Sequence, residues 1–156
     1  MLYGHLFLKE SKDKSILIDD FKTDNSLKFK IIDLNDKRLF NQKCIKDDEI
    51  LYNNLNYRIE KGKIGEVAIE SKSGEFAGYV CINKDGVLAP LYVVTKYRGH
   101  GLSKILVKDA INKYGAKKLG VYTDNEVAIK LYKYFGFKIT GSKKYNDGTK
   151  IYIMEL

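Results

Sequence analysis

Apolar and polar positions along this chain fall into short alternating runs and longer helical stripes. Met1 to Leu8 has strand-like apolar content and reads as an edge strand or a packed arm. The charged stretch from Glu10 to Lys28 holds one apolar island, Ser15-Ile16-Leu17-Ile18, and predicts no definite element. Lys28 to Leu34 alternates with the two-residue period of a half-buried strand. Asn35 or Asp36 then predicts the cap of a short helix carrying Leu39 and Phe40. A longer helix is predicted from Asp47 to Glu60, where Ile50, Leu51, Leu55 and Ile59 keep near-helical spacing. Its two leading aspartates suit the positive end of a helix dipole.

Three strands are predicted next, over 65–70, 76–83 and 87–94, joined by Ser71-Lys72-Ser73-Gly74 and Lys84-Asp85-Gly86 as turns. Glu66 and Glu70 share one face of the first and read as solvated edge charges. Pro90 lies inside the third. Lacking an N–H, it predicts a broken ladder there, through a bulge or through strands splaying apart.

A helix over 101–114 puts Leu102, Ile105, Leu106, Ala110 and Tyr114 on one face and Lys104, Lys108 and Lys113 outside, with Gly115 as its C-cap. A strand over 118–123 leads to a helix capped by Asp124 or Asn125, with Ala128, Leu131, Tyr132 and Phe135 on its apolar face and Gly136 as its stop. Phe137 to Thr140 and Ile151 to Leu156 close the chain as a hairpin through Asn146-Asp147-Gly148.

The 156 residues suit one domain: a possible N-terminal extension over 1–27, a strand and helices over 28–64, and a core over 65–156. No apolar run approaches the roughly 20 residues that span a bilayer. Met1 to Glu10 lacks a basic region and a small-residue cleavage site, which predicts a cytoplasmic protein. Cys44, Cys81, His5 and His100 form neither a disulfide framework nor a metal-ligand pattern. A formal charge of +8 would draw polyanions, but the lysines are scattered and no arginine-rich tract marks a nucleic-acid arm.

The stretch with chemistry in it is Val93-Val94-Thr95-Lys96-Tyr97-Arg98-Gly99-His100-Gly101-Leu102-Ser103, a strand end that turns into a helix start. The first turn of a helix presents N–H groups without intrahelical partners, at the positive end of the dipole. Gly99 and Gly101 let the backbone approach an anion, and Arg98 adds a forked charge. A tight turn would use the same residues. The run Arg98-Gly99-His100-Gly101-Leu102-Ser103 resembles the R-x-x-G-x-G/A pyrophosphate loop of the GNAT acyltransferase superfamily, with Ser103 standing where glycine or alanine is usual. Asn125-Glu126-Val127-Ala128-Ile129-Lys130-Leu131-Tyr132-Lys133-Tyr134-Phe135-Gly136-Phe137 is similar to a second signature of that family, N-x-x-A-x-x-x-Y-x-x-x-G-F. The resemblance covers about Gly65 to Leu156.

It implies an α/β fold with a mixed, mostly antiparallel sheet, splayed where acetyl-CoA binds and flanked by helices. The strands over 87–94 and 118–123 would run parallel. The pyrophosphate would rest on the amides of Gly99, His100, Gly101, Leu102 and Ser103, beside Arg98, and the pantetheine arm would meet backbone at Tyr92, Val93 and Val94. Asn125 would contact the cofactor arm, and Tyr132 would be the general acid. The implied activity is N-acetylation of a primary amine by direct attack, on a small molecule or a protein; a monomer or homodimer is the ordinary expectation, and the few cysteines and histidines predict no metal.

That chemistry needs an oxyanion donor, for which the N–H of Val93 or Val94 is the candidate, and a base. No acid lies between Val87 and Val94. Glu66, Glu70 and His100 are conceivable bases, and Glu49, Glu60 or Glu66 could attract a cationic acceptor. Tyr134 would point off the apolar face. The alternative is a non-catalytic protein on the same fold, binding CoA structurally or nucleic acid through its basic surface.

Overall fold

The computed structural model describes residues 27–156, so the readings of Met1 to Leu8 and Ser15 to Ile18 lie outside the described residues. Among those described, β1 (Phe29–Asp33), β2 (Ile64–Glu70), β3 (Phe76–Ile82) and β4 (Leu88–Val93) form an antiparallel sheet in that order. A second antiparallel sheet has the order β5 (Lys118–Tyr122), β7 (Lys150–Glu155), β6 (Lys138–Lys144).

Between β1 and β2 the chain makes a 3₁₀ turn (Leu39–Asn41), α1 (Lys43–Lys46) and α2 (Glu49–Glu60). Neither Asn35 nor Asp36 caps a helix. Asp36 instead accepts from the backbone N–H and the guanidinium of Arg38, and the helical turn starts only at Leu39. Asp48, the second of the two aspartates, caps α2 by accepting from the Leu51 N–H at 3.0 Å. The helices pack Leu39, Ile45, Leu51 and Leu55 against Ile32, Val67 and Ile69 on one face of the first sheet.

The other face meets α3 (Leu102–Tyr114), which buries Leu102, Leu106, Val107 and Ala110 against Val80, Leu91 and Val93. The buried stripe of α3 is rotated from the predicted one: Val107 is inside and Ile105 is 38% exposed. Gly115 closes α3 at φ 72°, and its N–H returns to the Ala110 carbonyl. The last helix, α4 (Glu126–Tyr134), is capped by Asn125 and buries Ala128, Leu131 and Tyr132.

Glu66 and Glu70 are not solvated edge charges; they are 1% and 5% exposed. β2 is paired on both sides and covered on both faces, which a period-two pattern alone does not reveal. The Glu70 carboxylate accepts from the backbone N–H groups of Lys72 and Ser73 at 2.8 and 3.0 Å, bonds that hold its pKa below the usual carboxylate range and tie down the following turn.

The ladder breaks at Pro90. Val80 faces Leu91 and Ile82 faces Leu88, so Ala89 and Pro90 together oppose Cys81 in a bulge. β4 and β5 start side by side and parallel at Val87 and Lys118, where the Lys117 and Lys118 N–H groups donate to the Gly86 carbonyl at 2.8 and 3.2 Å. Beyond that bridge no ladder joins them, and the two sheets open.

Candidate active site

β4 ends at the opening and runs through a 3₁₀ turn (Thr95–Tyr97) into the glycine loop. Gly99 and Gly101 both have φ 81°, a left-handed conformation that a Cβ disfavours. Gly101 is the N-cap of α3 and offers no side chain, so the first-turn amides of α3 lack a capping acceptor. Gly99 and His100 are half-buried, whereas the Leu102 side chain belongs to the core and leaves only its backbone for the loop.

Arg98 is 5% exposed, and its Nε donates to the Val93 carbonyl at 3.0 Å. Part of the guanidinium therefore braces the loop against the end of β4. Val93 and Val94 also separate. The Val94 N–H donates to the Ala77 carbonyl at 2.8 Å and is committed to the ladder, which removes it as an oxyanion donor. Antiparallel alternation turns the Val93 N–H the other way, toward the opening.

Two polar atoms near the loop and the start of α4 are buried without a hydrogen-bond partner among the described residues: Ser103 Oγ and Asn125 Nδ2. Asn125 Oδ1 is used, accepting from the Ala128 N–H at 3.2 Å, so the amide is oriented with its donor end free. Buried donors left unmatched in this way call for a ligand or water.

The Tyr132 ring meets Phe137 edge-on, with centroids 5.7 Å apart, and is 1% exposed. Its hydroxyl has no hydrogen bond among the described residues, and burial pushes its pKa well above that of a free phenol. It stays protonated at neutral pH, which suits a proton donor and not a base. Tyr134 is 54% exposed, with Lys104 Nζ 4.6 Å over its ring.

On the α2 face of the sheet lies a pocket of about 720 Å³, lined by Asp48, Ile50, Leu51, Asn54 and Arg58 from the helix side and Phe76, Tyr79, Tyr92 and Val94 from the strands. Its floor is aromatic, with Phe76 and Tyr92 stacked at 6.3 Å and Tyr79 6.0 and 6.1 Å from them. The sequence reading named Tyr92 for its backbone and missed the rest of this wall. The available signal was the period-two placement of Tyr79 and Tyr92 on neighbouring strands, which makes them cross-strand partners.

Glu66 faces away from that pocket, toward α3. Its carboxylate lies 3.4 Å from the Tyr114 hydroxyl, which also donates to Asp33 at 2.9 Å, and 4.0 Å from Lys113 Nζ. Burial, with Asp109 alongside, pushes its pKa up to about 8. A carboxyl that binds its proton more tightly when folded stabilises the fold at low pH, and that stability is lost as pH rises from the ordinary value of about 4.3 through 8. Glu66→Gln therefore flattens the fall in Tm between pH 5 and 9 and raises Tm at pH 9. An unchanged Tm profile would mean that the charge is carried at no cost.

No group of histidine, cysteine and acidic side chains among the described residues could hold a metal ion, and no described helix is long and apolar enough to cross a membrane. A strand thus passes into a glycine loop at a helix start, beside a parallel neighbour that peels away, which gives a splayed α/β fold. Residues 32–156 match the family model described as an acetyltransferase (GNAT) domain, and the chain belongs to the GNAT acetyltransferase family. It is similar to NAA60 of Arabidopsis thaliana solved in complex with acetyl-CoA, at 17% identity and a TM-score of 0.59, over 83% of this chain and 98% of that one. NAA60 in complex with a bisubstrate analogue gives 18% identity and a TM-score of 0.58, over 83% and 97%. A GNAT family acetyltransferase from Elizabethkingia anophelis with acetyl-CoA bound gives 18% identity and 0.55, over 82% and 98%. No curated protein matches the sequence.

Proposed function

We propose that the protein transfers an acetyl group from acetyl-CoA to a primary amine by direct attack in a ternary complex. The observation that carries this reading is a buried, unmatched polar atom at each of two helix starts: Ser103 Oγ in the first turn of α3, which has no capping side chain, and Asn125 Nδ2 at the N-cap of α4. A diphosphate with a polar arm supplies the acceptors that these atoms lack, so the residues fit the group. Bound acetyl-CoA would supply an acyl group already activated as a thioester.

The chain's own residues divide the remaining work. Amides of Gly99, His100, Gly101, Leu102 and Ser103 hold the diphosphate, and Arg98 fixes the loop to β4. Asn125 Nδ2 orients the arm, with backbone at Tyr92 and Val93 along the open edge. The Val93 N–H donates to oxygen where negative charge develops. Tyr132 delivers a proton to the departing sulfur. The aromatic pocket holds the acceptor, with Asp48 as the carboxylate at its solvent-exposed edge. Water beside Asp48 takes the proton of the entering ammonium. Residues 28–64 thus supply the helix wall of the acceptor pocket, and 65–156 its strand floor together with the cofactor side.

Calorimetric titration with acetyl-CoA, CoA and duplex DNA tests the reading. The expected result is micromolar binding of both CoA species and none of DNA. Failure to bind either CoA species overturns the proposal.

A further inference from the structure

Arg58 is a half-buried guanidinium in the acceptor-side pocket, with its Cζ 5.5 Å from the centroid of the Tyr79 ring. Its Nε is buried without a hydrogen-bond partner, and no carboxylate pairs with it among the described residues. The rest of the pocket is lined by apolar and aromatic side chains, with Asn54 and, at the start of α2 ten residues before Arg58, the carboxylate of Asp48 as its other polar groups. A planar fork of donors in such a place is matched by a carboxylate, which accepts two parallel N–H bonds and supplies the counter-charge that Arg58 lacks.

The position of Arg58 orients the ligand. Tyr79 pairs with Tyr92, and the next hydrogen-bonded row toward the opening is Ala77 with Val94. Arg58 stands over Tyr79, two rows back along the strand from Val94. The guanidinium is therefore at the end of the pocket away from the opening of the sheet. An ammonium would be repelled there and favoured toward Val94 and Asp48. The strand rise puts about 7 Å between the Tyr79 and Ala77 rows. That spacing exceeds the separation of amine and carboxylate in an α-amino acid.

Building on the acetyltransferase reading, we propose that the acceptor is a small ω-amino carboxylate with an apolar or aromatic body, whose carboxylate is bound by Arg58. The pocket's size is that of a small-molecule site. The probes are 4-(aminomethyl)benzoate and its primary amide, which have similar amines and differ in the remote charge. Acetyl transfer to the carboxylate is favoured over the amide by roughly 10- to 100-fold in kcat/KM, mainly through KM. Arg58→Gln erases that preference, and Arg58→Lys restores part of it; retained acetyl-CoA binding checks that each variant is folded.

Equal use of the two probes by the wild type, or a preference that survives in Arg58→Gln, overturns the inference. If neither probe reacts, calorimetry on the CoA-bound protein decides, and a carboxylate binding no tighter than the amide overturns it. Failure of the acetyltransferase reading looks different, because acetyl-CoA itself would then not bind.

Discussion

Tyr132→Phe lowers kcat by about 10²- to 10⁴-fold, the range of a lost general acid, while acetyl-CoA still binds. The variant isolates one proton. Phenylalanine keeps the ring, its edge-on contact with Phe137 and its place among Leu131 and Ala128 in the core. The lost hydroxyl has no hydrogen bond to give up among the described residues, so folding stability stays within about 0.5 kcal/mol, the range of substitutions that disturb no packing or bonding. Thiol release in steady state, beside a thermal melt, reads the two effects separately. The raised phenol pKa adds a second expectation: the wild-type rate does not fall through Tyr132 ionisation anywhere below about pH 10. A kcat within threefold of wild type would mean that the thiolate is protonated from elsewhere.

Gly101→Glu weakens acetyl-CoA binding by at least about 100-fold, or about 2.7 kcal/mol. At φ 81° a side chain is strained at this position, and glutamate also brings negative charge to the amides proposed to hold an anion. Strain and charge can be told apart by Gly62→Glu. Gly62 has φ 77° and open space around its missing Cβ, but it ends α2 far from the loop in sequence. That control carries a similar backbone penalty and leaves acetyl-CoA affinity unchanged. Calorimetry on both variants decides, and unaltered affinity in Gly101→Glu would displace the loop from the cofactor site.

What the sequence made legible was mostly local. Asn125 as a cap, Gly115 and Gly136 as stops, and the left-handed glycines of the loop each follow from interactions spanning a few residues. The break at Pro90 was legible for the same reason, since a missing N–H needs no knowledge of the partner strand. The misreadings concern what lies across from a residue. Glu66 alternates as an edge residue would, and only the pairing of β2 with both β1 and β3 shows that it is interior. Val94's N–H looked free until Ala77 was found opposite it. The acceptor-side pocket was hidden because α2 and three aromatic side chains from β3 and β4 meet only in the folded chain.

The order β5–β7–β6 gives assembly a direction in time. As the chain leaves the ribosome, β1 to β4 pair successively, each with the strand just before it, and α3 can then settle on them with the glycine loop formed. β5 and β6 cannot pair with each other, because the last-made strand, Lys150–Glu155, fills the space between them. Only once it is in place do the strands on either side of α4, the helix that carries Tyr132, have a partner in this sheet. The proposed cofactor loop rests on strands that pair in chain order, whereas the proposed proton donor depends on the last strand of the chain.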